Sequence, residues 1–237
     1  MSFTFPRNCL VGCVAVLLRI GHRGAKAYEP ENTLVSFQRA MEFGANAVEL
    51  DVRKTKDNEL VVIHNADVDK TTNGTGAVAE LTLAAIQKLV TDKNQKIPTF
   101  EEALASIGSQ VKILVELKET GYEDAVLDVI SKKGLIDNVI IISFHEDALR
   151  KIRELNKEIE TGLVYVRHKN PVQSALSLKA SYLLPLYRFT HSANVKKAHE
   201  NGLKVIVWTI NTKEEVAEYV KKGVDGIASD RPDILNV

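Results

Sequence analysis

Eight short apolar runs recur along the chain, at 14–21, 46–52, 111–117, 139–144, 161–166, 181–185, 203–209 and 225–229. Most are separated by amphipathic stretches of about 10 to 15 residues, and this alternation constrains the fold more than any other feature. A continuous apolar run is what a strand needs when both of its faces are covered, as in a parallel sheet. The intervening stretches carry helical spacing and stop at glycine: 33–43 before Gly44, 123–133 before Gly134, 193–201 before Gly202 and 214–222 before Gly223. A glycine there ends a helix and turns the chain back toward the next strand. Eight strands and their return helices in 237 residues fit an α/β chain folded as a (β/α)8 barrel better than an open doubly wound sheet.

One segment breaks the alternation. Leu60–Ile63 follows the second strand after only seven residues, Arg53 to Glu59, too few for a crossover helix. A hairpin is the natural reading. With Asp57-Asn58 as a two-residue turn, paired residues sum to 115, which sets His64 opposite Asp51. Residues 53–110 then read as a small insertion holding the hairpin, the loop Thr71–Gly76 and short helices near 81–90 and 99–107. It reads as a side lobe without a core of its own, within a single domain over 1–237.

Lys and Arg total 31, Asp and Glu total 31, and 45% of residues are hydrophobic. A balanced charge argues against a nucleic-acid partner, which needs an excess of cations. Cys9 and Cys13 stand alone without a second pair or a nearby histidine at metal spacing, and read as reduced thiols. The apolar stretch 10–18 is too short for a membrane span of roughly 20 residues. Cytoplasmic location without a membrane span is the expectation, and nothing in the sequence fixes an oligomeric state.

Active sites of such barrels form where strands end at the C-terminal face, so the polar residues closing each apolar run are the candidates. Glu49 and Asp51 are two apart on one strand and share a face; Glu116 closes the next barrel strand in the same orientation. Three clustered carboxylates repel unless they hold a cation, and an all-oxygen donor set suits Ca²⁺ or Mg²⁺ better than Zn²⁺. Pairing with a rim cation, Lys118 above all, is the competing explanation. His22 and His64 arrive at the same mouth, where two imidazoles can serve as one base and one acid in a single displacement. Arg23 and Lys118 complete a charge balance: three carboxylates, a divalent cation, a phosphodiester monoanion, Arg and Lys sum to zero. Trp208, the only tryptophan, can wall the site against a small alcohol or simply pack in the core.

The ordered series Gly21-His-Arg-Gly24, Glu31-Asn-Thr33, Glu49-Leu-Asp-Val52, His64, Thr71–Gly76, Glu116-Leu-Lys118, Ser143-Phe144, Trp208-Thr-Ile-Asn211 and Gly223–Asp230 resembles the glycerophosphodiester phosphodiesterase family. The resemblance implies a (β/α)8 barrel with a small insertion after the second strand, and hydrolysis of small glycerophosphodiesters to glycerol 3-phosphate and an alcohol. It implies His22 and His64 as catalytic residues, Glu49, Asp51 and Glu116 as metal ligands, Arg23 and Lys118 as substrate-phosphate contacts, and Trp208 as an aromatic neighbour of the glycerol. Asn65 departs from the family pattern, in which an Asp usually follows the second histidine; the amide keeps a carbonyl oxygen and loses a charge. Two other functions compete: a lysophospholipase D or cyclising phospholipase acting on lipid headgroups, and a non-catalytic barrel that binds phosphodiesters.

Overall fold

A computed structural model describes residues 16–236. Cys9 and Cys13 and the start of the first apolar run lie outside them. The chain forms β1 (Leu18–Gly21), α1 (Leu34–Glu42), β2 (Ala47–Lys54), β3 (Leu60–Val62), α2 (Leu83–Ile86), α3 (Phe100–Ile107), β4 (Lys112–Leu117), α4 (Glu123–Lys132) and β5 (Val139–Ser143). It continues with α5 (Glu146–Leu155), β6 (Glu160–Tyr165), α6 (Pro171–Ser177), β7 (Tyr182–Pro185), α7 (Ser192–Glu200), β8 (Lys204–Val207), α8 (Lys213–Lys221) and β9 (Gly226–Ser229).

Strand order is β1-β9-β8-β7-β6-β5-β4-β2, and β2 pairs back on β1 to close the ring. All pairings within the ring are parallel. The apolar runs are therefore buried on both faces, as their sequence required. Alternate residues divide between two layers. Ile20, Ala47, Leu114, Ile140, Ile142, Val164, Leu184, Ile206 and Ala228 point inward and fill the barrel. Their neighbours Val48, Leu50, Ile113, Val115, Ile141, Leu163, Leu183, Val205 and Ile227 point outward under the helices. No helix among the described residues is long and apolar enough to cross a membrane.

β2 overshoots the ring and carries β3 antiparallel at its end, in the register Val52 to Val62, Arg53 to Val61 and Lys54 to Leu60. Paired numbers sum to 114, one less than expected, so Ile63 rather than His64 lies opposite Asp51 and donates to its carbonyl at 3.0 Å. The turn explains the shift. Its closing pair is Thr55 and Glu59, with Thr55 N–H donating to the Glu59 carbonyl, and Asn58 takes a left-handed φ of 64°. A three-residue loop ending in a left-handed position is the next most common hairpin turn after the two-residue kind. Thr55 Oγ1 locks it by donating to Asp57 and accepting from Glu59 N–H.

The segment after the hairpin departs from the sequence reading in a second respect. Val61, Ile63, Val68, Val78, Ile86 and Ile97 bury one another in a separate cluster, so the lobe has a small core of its own. α3 starts with a capping box, in which Thr99 Oγ1 accepts from Glu102 N–H and the Glu102 carboxylate accepts from Thr99 N–H. Its Phe100, Leu104 and Ile107 are buried in the outer barrel layer, which makes it the crossover helix between β2 and β4.

Candidate active site at the barrel mouth

The site grows from the same alternation that fills the barrel. Continuing each inward row beyond its apolar residues leads from Ile20 to His22, from Ala47 to Glu49 and Asp51, and from Leu114 to Glu116 and Lys118. It also leads from Ile142 to Phe144, from Ile206 to Trp208 and from Ala228 to Asp230. His22, Arg23, Glu49, His64, Glu116, Lys118, Phe144 and Trp208 all line one cavity of about 140 Å³ at the C-terminal mouth. Asp51 sits beneath it, bonded to the elements around it.

Ligand atoms of Glu49, Asp51 and Glu116 lie within 4.8 Å of one another, and all three residues are buried. Asp51 is braced by Asn32, whose side-chain N–H donates to Oδ2 at 2.8 Å and whose Oδ1 accepts from Asp51 N–H. Asn32 reaches it from a left-handed turn, φ 59°. Arg23 is also left-handed, φ 52°, which aims its backbone N–H at Glu49 Oε2, 2.8 Å away. Gly24 makes this turn possible: it lies at φ +83°, and a Cβ there would sit 2.4 to 2.7 Å from Ser36. The Arg23 guanidinium pairs with Glu31 at 3.0 Å and Asp51 at 3.3 Å. Lys118 Nζ lies 2.6 Å from Glu116 and 3.4 Å from Asp51, so both rim cations engage the carboxylates.

Those pairs do not neutralise the cluster. Burial pushes the Glu49 carboxyl well above its usual range, and repulsion from Asp51 and Glu116 pushes the same way. Glu116 is raised to about 7 by burial and by Asp51. Burial also acts upward on Asp51, yet Lys118 and Arg23 outweigh it and hold that carboxyl low. Glu49 Oε1 and Asp51 Oδ1 are buried with no hydrogen-bond partner among the described residues. Buried carboxylate oxygens without hydrogen bonds, in a cluster whose ligand atoms lie within 4.8 Å of one another, are costly alone and are the donor set a hard divalent ion takes. The residues fit a metal ion.

The two imidazoles are held differently. His22 Nδ1 lies 2.7 Å from Asp230 Oδ1. Asn211 donates to the other Asp230 oxygen at 2.8 Å, while Asn211 Oδ1 accepts from Asp230 N–H and Ser229 Oγ. Burial acts upward on Asp230, but the hydrogen bond and charge of His22, with Asn211, hold its carboxyl at about 2. His64 Nδ1 lies 2.9 Å from Asn65 Oδ1, and Arg53 Nε donates to the His64 carbonyl at 2.9 Å. Burial lowers the His64 imidazole below its ordinary value; Arg23 and Lys118 act the same way, and Asp51 opposes them. Trp208 donates its indole N–H to the Leu184 carbonyl at 2.8 Å. It meets Phe144 edge to face at 5.7 Å, so it is both wall and packing.

All eight candidate site residues named from the sequence thus reach this mouth or its floor. The sequence reading missed Asp230 and Asn211, which position His22, and Asn32, which braces Asp51. The inward row of β9 carried a signal for Asp230, two residues beyond Ala228.

Residues 22–234 match the model of the glycerophosphoryl diester phosphodiesterase family. The chain belongs to this family. A glycerophosphodiester phosphodiesterase of Caldanaerobacter subterraneus subsp. tengcongensis is 37% identical over 92% of this chain and 96% of its own length. Among solved structures, a phosphodiesterase of Oleispira antarctica bound to the product sn-glycerol-3-phosphate superposes with a TM-score of 0.84. It is 26% identical and covers 91% of this chain and 94% of its own. A glycerophosphodiester phosphodiesterase of Thermotoga maritima gives a TM-score of 0.78 at 28% identity, over 92% of this chain and 96% of its own. The family's barrel is the fold described above, closed by eight parallel strands.

Proposed function

We propose that the protein hydrolyses small glycerophosphodiesters to glycerol 3-phosphate and an alcohol, with Glu49, Asp51 and Glu116 holding one divalent cation, Ca²⁺ or Mg²⁺. The observation that carries this is the convergence of three buried carboxylates and two histidines on one small mouth. Bound there, a divalent ion supplies positive charge that stabilises developing negative charge on phosphate and lowers the pKa of an oxygen it contacts. Arg23 and Lys118 add fixed positive charge on the same wall and orient the phosphate.

His64, whose imidazole burial and the neighbouring cations hold below its ordinary value, takes the proton of the attacking hydroxyl. His22 then delivers a proton to the leaving alcohol oxygen. Its Nδ1 is engaged by Asp230, which leaves Nε2 for that transfer. With the 2-hydroxyl of the glycerol as nucleophile, its oxygen bonds to phosphorus, the bond to the alcohol breaks, and a cyclic phosphate forms. Water opens the ring with the two histidines exchanging roles. Trp208 and Phe144 pack beside the glycerol carbons. A cavity of about 140 Å³ suits a short polar diester better than a lipid with its acyl chain inside. Cytoplasmic location accompanies this reading, and cell fractionation tests it.

The deciding experiment is release of glycerol 3-phosphate from glycerophosphocholine, glycerophosphoethanolamine and glycerophosphoglycerol, first with chelator and then with each ion restored in turn. Expected is turnover that chelator abolishes and one of the two ions restores. Affinity for these diesters with no product under any ion would overturn it. A substrate lacking the 2-hydroxyl separates the two routes: undiminished turnover means direct attack by water.

A further inference from the structure

A cavity of about 710 Å³, larger than the one at the mouth, lies elsewhere in the fold. It lies outside the barrel wall, between α6 and α7, and its volume is in the range of small-molecule sites, about 300 to 1,000 Å³. Its floor is apolar: Val172 on α6 is half-buried at the surface of the cleft, and Val195 on α7 with Leu183 and Val205 on the outward faces of β7 and β8 form an almost fully buried base beneath. The cleft follows α7 from Asn194 through Lys197 to Asn201. Those seven residues of rise make it about 10 Å long on that side.

The rim has one sign of charge. Arg167, Lys169 and Lys197 line it. Among the described residues none of the three is paired with a carboxylate, although their neighbours Lys196 and His168 are. No acidic residue lines the cleft. Arg167 stacks 4.3 Å over the Phe189 ring, and Val166 and Phe189 stand exposed beside it. Exposed apolar side chains rimmed by unmatched cations favour a ligand that is apolar along its length and anionic at one end. A free anion leaves the floor wet, and an uncharged lipid leaves the cations unmatched.

We propose that this cleft binds a single-chain lipid phosphate, its phosphate monoester held by Arg167, Lys169 and Lys197 and its alkyl chain laid along the floor between α6 and α7. The site is separate from the mouth, yet it shares strands with it: Leu183 and Val205 form its floor, and the next residues, Leu184 and Ile206, line the mouth cavity.

Titration calorimetry of the metal-loaded protein with dodecyl phosphate, dodecyl maltoside and inorganic phosphate, each below micelle formation, tests the proposal. Dodecyl phosphate is expected to bind one to one, at least about tenfold more tightly than either control, and equally well with saturating glycerol 3-phosphate present. Combining Arg167→Glu with Lys197→Glu should weaken it about tenfold or more while leaving turnover of a water-soluble diester unchanged. If that double variant does not fold, Lys197→Gln alone should still weaken dodecyl phosphate and leave dodecyl maltoside unaffected. Equal binding of dodecyl maltoside makes the cleft an apolar patch only, and equal binding of inorganic phosphate makes it an anion site only. Displacement by glycerol 3-phosphate places the probe in the mouth. Each of these, or an unchanged affinity in the variants, overturns the proposal.

Discussion

The two histidines of the mouth occupy one cavity but belong to different kinds of structure. His22 stands on the closed ring: β1 carries it, and Asp230 at the end of β9 anchors it through a half-buried charge and a bonded network with Asn211 and Ser229. His64 stands on the lobe that β2 extends outward, and its side-chain anchor is the neutral amide of Asn65. A carboxylate orients the ring with a full negative charge, whereas an amide orients it with a dipole. The chain thus gives the same side chain two different neighbours, an anionic carboxylate at His22 and a neutral amide at His64, and the proposed division into acid and base rests on that difference.

The comparison breaks most decisively at the histidines themselves. Replacing either with Ala should lower kcat by about 10²- to 10⁴-fold with little change in KM, because proton transfer acts in the transition state. A mild loss at either position would remove that residue from the proposed chemistry. Next in size is the contrast between anchors. Asp230→Ala should lower kcat by about 10²-fold, toward the lower end of what a positioned acid or base contributes, and Asn65→Ala by about tenfold or less. Equal losses would erase the distinction between ring and lobe.

A third effect is mechanical. Ile86 is fully buried in the lobe cluster, and Ile86→Ala should cost about 2 to 4 kcal/mol of local stability. Hydrogen exchange should quicken in the lobe while the amides of β5 and β6 keep their protection. The smallest effect is on pH. Because His64 lies below its ordinary value, the proposed base stays active to a lower pH than a free imidazole allows, and activity falls as pH drops through its pKa. Asn65→Asp adds a negative charge beside the ring, favours the protonated form, and should move that acid limb of kcat/KM upward. A downward or absent shift would mean that the limb reports another group.

The barrel was legible in the sequence because a strand covered on both faces is apolar along most of its length, and each of the eight such runs overlaps a ring strand. Most of the mouth was legible for a related reason. An inward row stays apolar until it leaves the interior, so Glu49, Asp51, Glu116 and Lys118 stand out where their rows turn polar. The hairpin register was misplaced by one residue because Asp57-Asn58 suits a two-residue turn as a sequence, while the bonds of Thr55 with Asp57 and Glu59 select three. The lobe core escaped notice because Val68, Val78, Ile86 and Ile97 are isolated apolar residues with no common period. Asp230 and Asn32 were visible as residues but not as partners, since their roles depend on which strands become neighbours when the ring closes.

That closure joins residues that translation separates widely, for His22 and Asp230 are 208 positions apart. A nascent chain still missing its final strand therefore has its proposed proton donor without an anchor and the wall beside it unsealed. An orienting group so distant in sequence meets its imidazole only after the ring has closed, so the pair is assembled by the fold and not by the local sequence.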